Sequence, residues 1–214
     1  MLALGIRLLL AYLLGSLLGS LIVGKLWGGV DIRTQGSGNA GGTNALRTQG
    51  RLFAVCVMII DLGKGVLAAA LVPLVPLTFL HSPPLLDTAW IAALCGALAV
   101  IGHVYPVFFG FRGGKGAATF IGVLATLAPL ALIPALLVWA LVLMLTGYVG
   151  LSTVLAAGVV PVYALGTTGF GSALFAFGFA MAIFILFTHR SNMRRLVHGN
   201  ENRFKRAMLL RRQR

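Results

Sequence analysis

Acidic residues are almost missing from this chain. Of 214 residues only Asp31, Asp61, Asp87 and Glu201 carry a carboxylate, against 17 Lys and Arg. Charged residues make up 10% of the chain and hydrophobic ones 59%, with a mean hydropathy of +0.98. Soluble domains carry about 25% charged residues, so a soluble globule is excluded. The few carboxylates form no pair and no Asp-rich motif that would hold Mg²⁺. There is no H-E-x-x-H and no Cys/His cluster for zinc. The two cysteines, Cys56 and Cys95, fall inside apolar runs and read as small core hydrophobes, not as a disulfide or a metal pair. Alternating polar and apolar residues are also missing, which excludes a lipid-facing β-barrel and leaves helices.

What remains is an all-α polytopic membrane protein. Apolar segments run roughly over residues 3–27, 52–79, 88–109, 117–128, 130–147, 152–166 and 170–188. A span takes about 20 residues, so the fourth and sixth are short. Short or interrupted helices often border a polar site. The sequence predicts that Pro161 kinks the sixth helix. It also predicts that Gly15 and Gly19, beside Ser16 and Ser20, form a small-residue ridge for close helix packing. The first segment is long and lacks a clear cleavage site, so it reads as a retained helix.

The net charge of +13 is unevenly placed. Basic residues occupy loop 28–51, loop 110–116 and the tail after residue 189, whereas loops 80–87, 129–134 and 166–170 have none. With seven helices the two sets fall on opposite sides. Basic loops stay in the cytoplasm, so the N-terminus is expected outside and the C-terminus inside. Arg7, near the outer end of the first helix, is the one objection. This distribution explains the charge better than nucleic-acid binding does. Residues 1–214 read as a single integral membrane domain. Its basic cytoplasmic tail, 193–214, forms an amphipathic surface helix or simply meets anionic lipid.

Three glycine-rich or basic islands interrupt the apolar chain, all on the expected cytoplasmic side, where they are expected to converge on one site. The first runs from Gly36-Ser37-Gly38-Asn39-Ala40-Gly41-Gly42-Thr43-Asn44 to Arg47. Its glycines allow successive N–H groups to point at one phosphate, and Ser37, Asn39, Thr43 and Asn44 add polar groups. Arg47 offers a planar fork. The second runs from Gly102-His103 to Gly113-Gly114-Lys115-Gly116. It is not a Walker loop, because position 109 is not glycine and Gly116 follows Lys115 where Ser or Thr would stand. Lys115 suits an anion, and His103 either orients the loop or touches substrate. The third is His189-Arg190-Ser191-Asn192, with His189 and Asn192 expected on one helical face. Ser152 or Thr153 lies near the same side. Glu201 can pair with a basic residue and hold its geometry. Asp61 and Lys64 read as an intrahelical ion pair, which limits the cost of charge at membrane depth.

In order and spacing, these islands resemble the signature motifs of a bacterial family, the acyl-phosphate:glycerol-3-phosphate acyltransferases of the PlsY type. The resemblance takes in Ser37 to Arg47, Gly102 to Gly116, His189 to Glu201 and the Asp61–Gly65 segment. Gly42 stands where Ala is common, and Met193 where Ile is common. The resemblance implies a bacterial inner-membrane enzyme with its active site facing the cytoplasm. It would move an acyl group from acyl phosphate to the sn-1 hydroxyl of glycerol 3-phosphate in phospholipid biosynthesis. It implies no cofactor, metal or nucleotide, membrane lipid as surroundings, no nucleic acid, and a monomer. Ser37, Arg47, Lys115, His189 and Asn192 would carry catalysis. Gly36, Gly38, Asn39, Gly41, Thr43, Asn44, His103, Gly113, Gly114, Gly116, Ser152 and Glu201 would join them in binding substrate. No His is followed five residues later by Asp, so the H-x-x-x-x-D dyad of soluble-type glycerolipid acyltransferases is absent. The base is His189 or a substrate phosphate. The rival reading is a transporter of phosphate or organophosphate anions, which the cation-free outer loops and the missing inverted repeat oppose.

Overall fold

The structure is a computed structural model that describes residues 1–77 and 86–208. The end of the second apolar segment, most of loop 80–87 and the last basic residues lie outside the described residues. Among the described residues the regular structure is entirely helical. The chain divides into two compact units, Met1–Leu127 and Ala128–Arg214.

The first unit holds α1 (Leu2–Gly15), α2 (Gly19–Leu26), α3 (Gly42–Gln49), α4 (Arg51–Ala70), α5 (Thr88–Val104) and α6 (Ala117–Leu127). The first apolar segment is not one helix. It breaks between Gly15 and Gly19 and bends by 46°. A break inside lipid exposes carbonyls and N–H groups that must find partners, and α4 supplies them. Lys64 Nζ donates to the Gly15 and Leu17 carbonyls at 2.8 Å each. Asp61 Oδ1 accepts the Gly19 N–H at 3.1 Å and lies 3.1 Å from Lys64 Nζ. The Asp61–Lys64 pair therefore does more than neutralise itself, because it caps both sides of the break. The break also divides the expected small-residue ridge. A Cβ on Gly15 would strike the Ala99 backbone of α5, and one on Gly19 would sit 2.7 Å from the Val57 carbonyl of α4. Arg7 is accommodated by donating to the Val75 carbonyl at 3.0 Å.

The second unit holds α7 (Leu132–Thr146), α8 (Val149–Thr167), α9 (Ala173–Thr188) and α10 (Arg190–Val197). Helix α8 starts three residues earlier than the apolar pattern suggests and spans 19 residues, so the sixth segment is not short. It continues through Pro161. Helix α9 meets α10 at a 56° bend centred on His189. The start of the tail is thus a short helix that ends near Gly199, whose φ is +73°. The chain then returns to α7, with the Phe204 N–H donating to the Gly147 carbonyl at 2.7 Å.

Among the described residues four helices are long and apolar enough to cross a membrane, and counting each bent pair as one span gives up to six. The remaining apolar segment is α6, with 11 residues. At 1.5 Å per residue it covers about half of a hydrocarbon core of about 30 Å.

Candidate active site

The first island begins beyond Asp31, which caps the short 3-10 turn Ile32–Thr34 by accepting the Arg33 N–H at 2.9 Å. The chain then turns at Gln35–Gly38, where the Gly38 N–H donates to the Gln35 carbonyl at 3.0 Å. Gly36 and Gly38 have φ of +56° and +71°, values that side chains rarely adopt. Asn44, buried in the first turn of α3, organises this bend. Its Oδ1 accepts the Ser37 N–H at 2.9 Å, and its Nδ2 donates to the Ile32 and Gln35 carbonyls at 2.9 and 3.0 Å.

These bonds correct two expectations. Asn44 uses its amide on the backbone, so it shapes the loop and does not reach for substrate. The Ser37 and Gly38 amides close the turn and do not form a phosphate nest. The loop instead presents the exposed side chains of Ser37, Thr43 and Arg47, with Asn39 half-buried beside Gly41. Thr43 and Arg47 stand one turn apart on α3. No side chain caps α3 at Gly41, so its first-turn N–H groups suit a bound anion.

The second island folds back on the end of α5. The N–H groups of Gly113 and Gly114 donate to the Val104 and His103 carbonyls at 3.1 Å each. A Cβ on Gly113 would strike the His103 carbonyl, and one on Gly114 would strike the His103 ring. These glycines serve close packing, and their N–H groups are already used. His103 is buried, with Nδ1 3.4 Å from Asp61 Oδ1, so it orients the loop. Lys115 stands half-buried before α6, next to Gly116, whose φ is +87°.

Arg33, absent from the sequence-named residues, joins the two islands. Its Nε and one terminal nitrogen grip the Asp31 carboxylate, the shortest contact being 2.8 Å. The other terminal nitrogen donates to the Phe109 carbonyl at 3.1 Å and to the Arg112 carbonyl at 2.9 Å. The hydrogen bonds from Arg33 hold the Asp31 carboxyl below its ordinary range. The only advance sign was two opposite charges two residues apart.

In the second unit His189 is buried at the end of α9. Its Nδ1 lies 2.8 Å from the Ile185 carbonyl and 3.3 Å from Thr188 Oγ1. A carbonyl only accepts, so Nδ1 carries a proton and the tautomer is set by the backbone. The bend at His189 removes the simple one-face relation expected between His189 and Asn192. Asn192 is placed by other contacts. Its Nδ2 donates to Glu201 Oε1 at 2.7 Å, while Glu201 Oε2 accepts from Arg195 Nε at 2.7 Å. A Cβ on Gly150 would lie 2.9 Å from the Asn192 Cβ, which makes Gly150 a seat for this side chain. Glu201 thus holds Asn192 with one oxygen and the basic Arg195 with the other. Ser152 is buried and its hydroxyl donates to the Tyr148 carbonyl at 2.9 Å. Its proton is thereby spent on its own helix, where a substrate contact was expected. Thr153 likewise turns to its own helix, donating to the Val149 carbonyl at 2.9 Å. Arg190 stacks on Phe187, 4.3 Å from the ring centre.

This fold and these groups define a class: a multi-pass helical membrane protein that presents hydroxyl, amide and basic groups suited to phosphate esters at its helix ends. Residues 5–199 match the family described as glycerol-3-phosphate acyltransferase, and the chain belongs to that family. The glycerol-3-phosphate acyltransferase of Shouchella clausii is 42% identical, over 91% of this chain and 93% of the relative. That of Chlorobaculum tepidum is 38% identical, over 92% and 94%. The crystal structure of PlsY (YgiH), an integral membrane glycerol 3-phosphate acyltransferase, in its glycerol 3-phosphate form is similar, with a TM-score of 0.80 and 33% identity. The match covers 94% of this chain and 95% of that one. Its lysophosphatidic acid form matches with a TM-score of 0.79.

Proposed function

We propose that this protein transfers a fatty acyl group from an acyl phosphate to the sn-1 hydroxyl of glycerol 3-phosphate. Membership of the acyltransferase family carries this reading. The similar crystal structures, one a glycerol 3-phosphate form and one a lysophosphatidic acid form, support the acceptor and the product. The same matches leave the transporter reading without support.

The hydroxyl oxygen attacks the acyl carbonyl carbon, and the bond from that carbon to the phosphate oxygen breaks. The products are 1-acyl-glycerol 3-phosphate and inorganic phosphate. The donor is a mixed anhydride with a good leaving group, so the protein's main task is to hold and orient two phosphates. Ser37, Asn39 and the uncapped start of α3 take the donor phosphate, with Gly36, Gly38 and Gly41 giving the loop its shape. Arg47, Lys115, His189 and Asn192 take glycerol 3-phosphate. Cations and N–H groups stabilise the oxyanion and the departing phosphate. A substrate phosphate oxygen accepts the hydroxyl proton, and His189 binds the acceptor through the tautomer that Ile185 sets. Thr43 adds a hydroxyl on the exposed face of α3, and Gly116 sets the turn after Lys115. Asn44, His103, Gly113, Gly114, Ser152 and Glu201 shape or position the groups that touch substrate.

The charge distribution supports a bacterial inner-membrane protein with seven crossings, an outside N-terminus and a cytoplasmic active site. The short α6 is the fourth of these in chain order. The protein works as a monomer, with its basic tail near anionic lipid. The deciding experiment supplies purified protein in lipid with palmitoyl phosphate and glycerol 3-phosphate, beside a palmitoyl-CoA control. Phosphate and lysophosphatidic acid formed only from the acyl phosphate, without added metal, are the expected result. Product from the thioester would mean that the donor is wrong.

A further inference from the structure

Arg33 makes contacts that the proposed chemistry does not use. It is a partly buried side chain, 22% exposed, and its guanidinium meets acceptors on two sides. Two of its nitrogens meet Asp31, just ahead of the Ser37–Arg47 loop. A third meets the carbonyls of Phe109 and Arg112, just ahead of Lys115. Those carbonyls flank Gly110 and Phe111, which have φ of +65° and +58°. The left-handed conformation is uphill for phenylalanine, so bonds on both sides of it hold the turn closed. The guanidinium is a planar fork with five donors. A lysine at this position has one nitrogen, which cannot grip a carboxylate with two atoms and reach two carbonyls beyond it.

We propose that Arg33, braced by Asp31, is a positioning residue that sets the separation between the two substrate-holding loops of the first unit. This rests on the proposed function, in which Ser37 and Asn39 hold the donor phosphate while Lys115, with Arg47, holds glycerol 3-phosphate. Each loop keeps its own binding groups when Arg33 is lost, because Asn44 shapes one and the end of α5 shapes the other. The register between the two substrates is what suffers, and reaction rate depends steeply on it.

The test varies palmitoyl phosphate and glycerol 3-phosphate separately for wild type, Arg33→Gln, Arg33→Lys and Asp31→Asn, with thermal unfolding as a check on the fold. In Arg33→Gln and Arg33→Lys, kcat should fall roughly ten- to a hundredfold, the scale of a small misplacement of reactants. Each KM should move by less than about threefold, since substrate binding is retained. Asp31→Asn should lose less, and adding it to Arg33→Gln should cost little more, because both changes break one network. Should Arg33→Gln fail to fold, Arg33→Lys and Asp31→Asn carry the same comparison. Full kcat in folded Arg33→Lys, or a loss confined to one KM, would overturn the inference. A wild type inactive with palmitoyl phosphate and glycerol 3-phosphate would instead overturn the proposed function.

Discussion

Lys64→Met is the sharpest test of how the membrane fold tolerates a broken helix. The native ammonium is 2% exposed, lies 3.1 Å from Asp61 and donates to the Gly15 and Leu17 carbonyls at 2.8 Å each. Methionine fills similar space but leaves the Asp61 charge without its partner and two carbonyls at the break without this donor. Removing one member of a buried pair costs about 3–5 kcal/mol, and each orphaned carbonyl adds about 1–3 kcal/mol. His103, 3.4 Å from Asp61 Oδ1, can offset part of the lost charge, so the lower bound of about 3 kcal/mol is the firm expectation. For a chain of this size that corresponds to a melting temperature lower by about 6–12 °C. The assay is thermal unfolding of the purified protein in one fixed detergent. The control is Asp61→Asn combined with Lys64→Met. The double change removes the stranded charge, while the amide oxygen that replaces the carboxylate can still accept the Gly19 N–H. It should therefore be more stable than Lys64→Met alone. A Lys64→Met protein that melts with wild type, or a double variant less stable than the single, would refute the clamp.

Other expectations follow from the loops. Asn44→Ala removes three hydrogen bonds to the backbone and should cost about 2–4 kcal/mol together with most of the activity. Thr43→Ala, at an exposed neighbour, should melt with wild type and show only weaker substrate binding. Gly150→Ala places a methyl 2.9 Å from the Asn192 Cβ. It should raise the KM for glycerol 3-phosphate by roughly tenfold while leaving the KM for acyl phosphate alone, and equal changes in both would remove Asn192 from the acceptor site. His189→Gln should mainly weaken glycerol 3-phosphate binding. A drop in turnover of about 10²–10⁴ at saturating substrate would instead make His189 the general base.

Much of this protein was readable in one dimension because the relevant physics is local. Lipid demands long apolar stretches with their hydrogen bonds closed inside helices, and such stretches are visible in the chain. The glycine, amide and basic residues at their ends are also local patterns. Together they point to phosphate chemistry and to the family that the matches establish. Individual roles were harder to read, because an amide or hydroxyl looks the same whether it faces substrate or backbone. Asn44 was read as a substrate contact, yet it is buried and spends its amide on main chain.

Sequence alone determined the membrane class, the apolar stretches that become most of the helices, the positions of the three islands and the chemistry they suggest. Tertiary structure decided where the first helix breaks, which polar side chains turn inward, and that Arg33 ties two loops together. The reason is distance along the chain. Lys64 finds the Gly15 carbonyl across 49 residues and Arg33 finds the Arg112 carbonyl across 79. A charge or a carbonyl has no partner in the local sequence that reveals such a bond. It exists only once packing has brought the helices and the loops between them together.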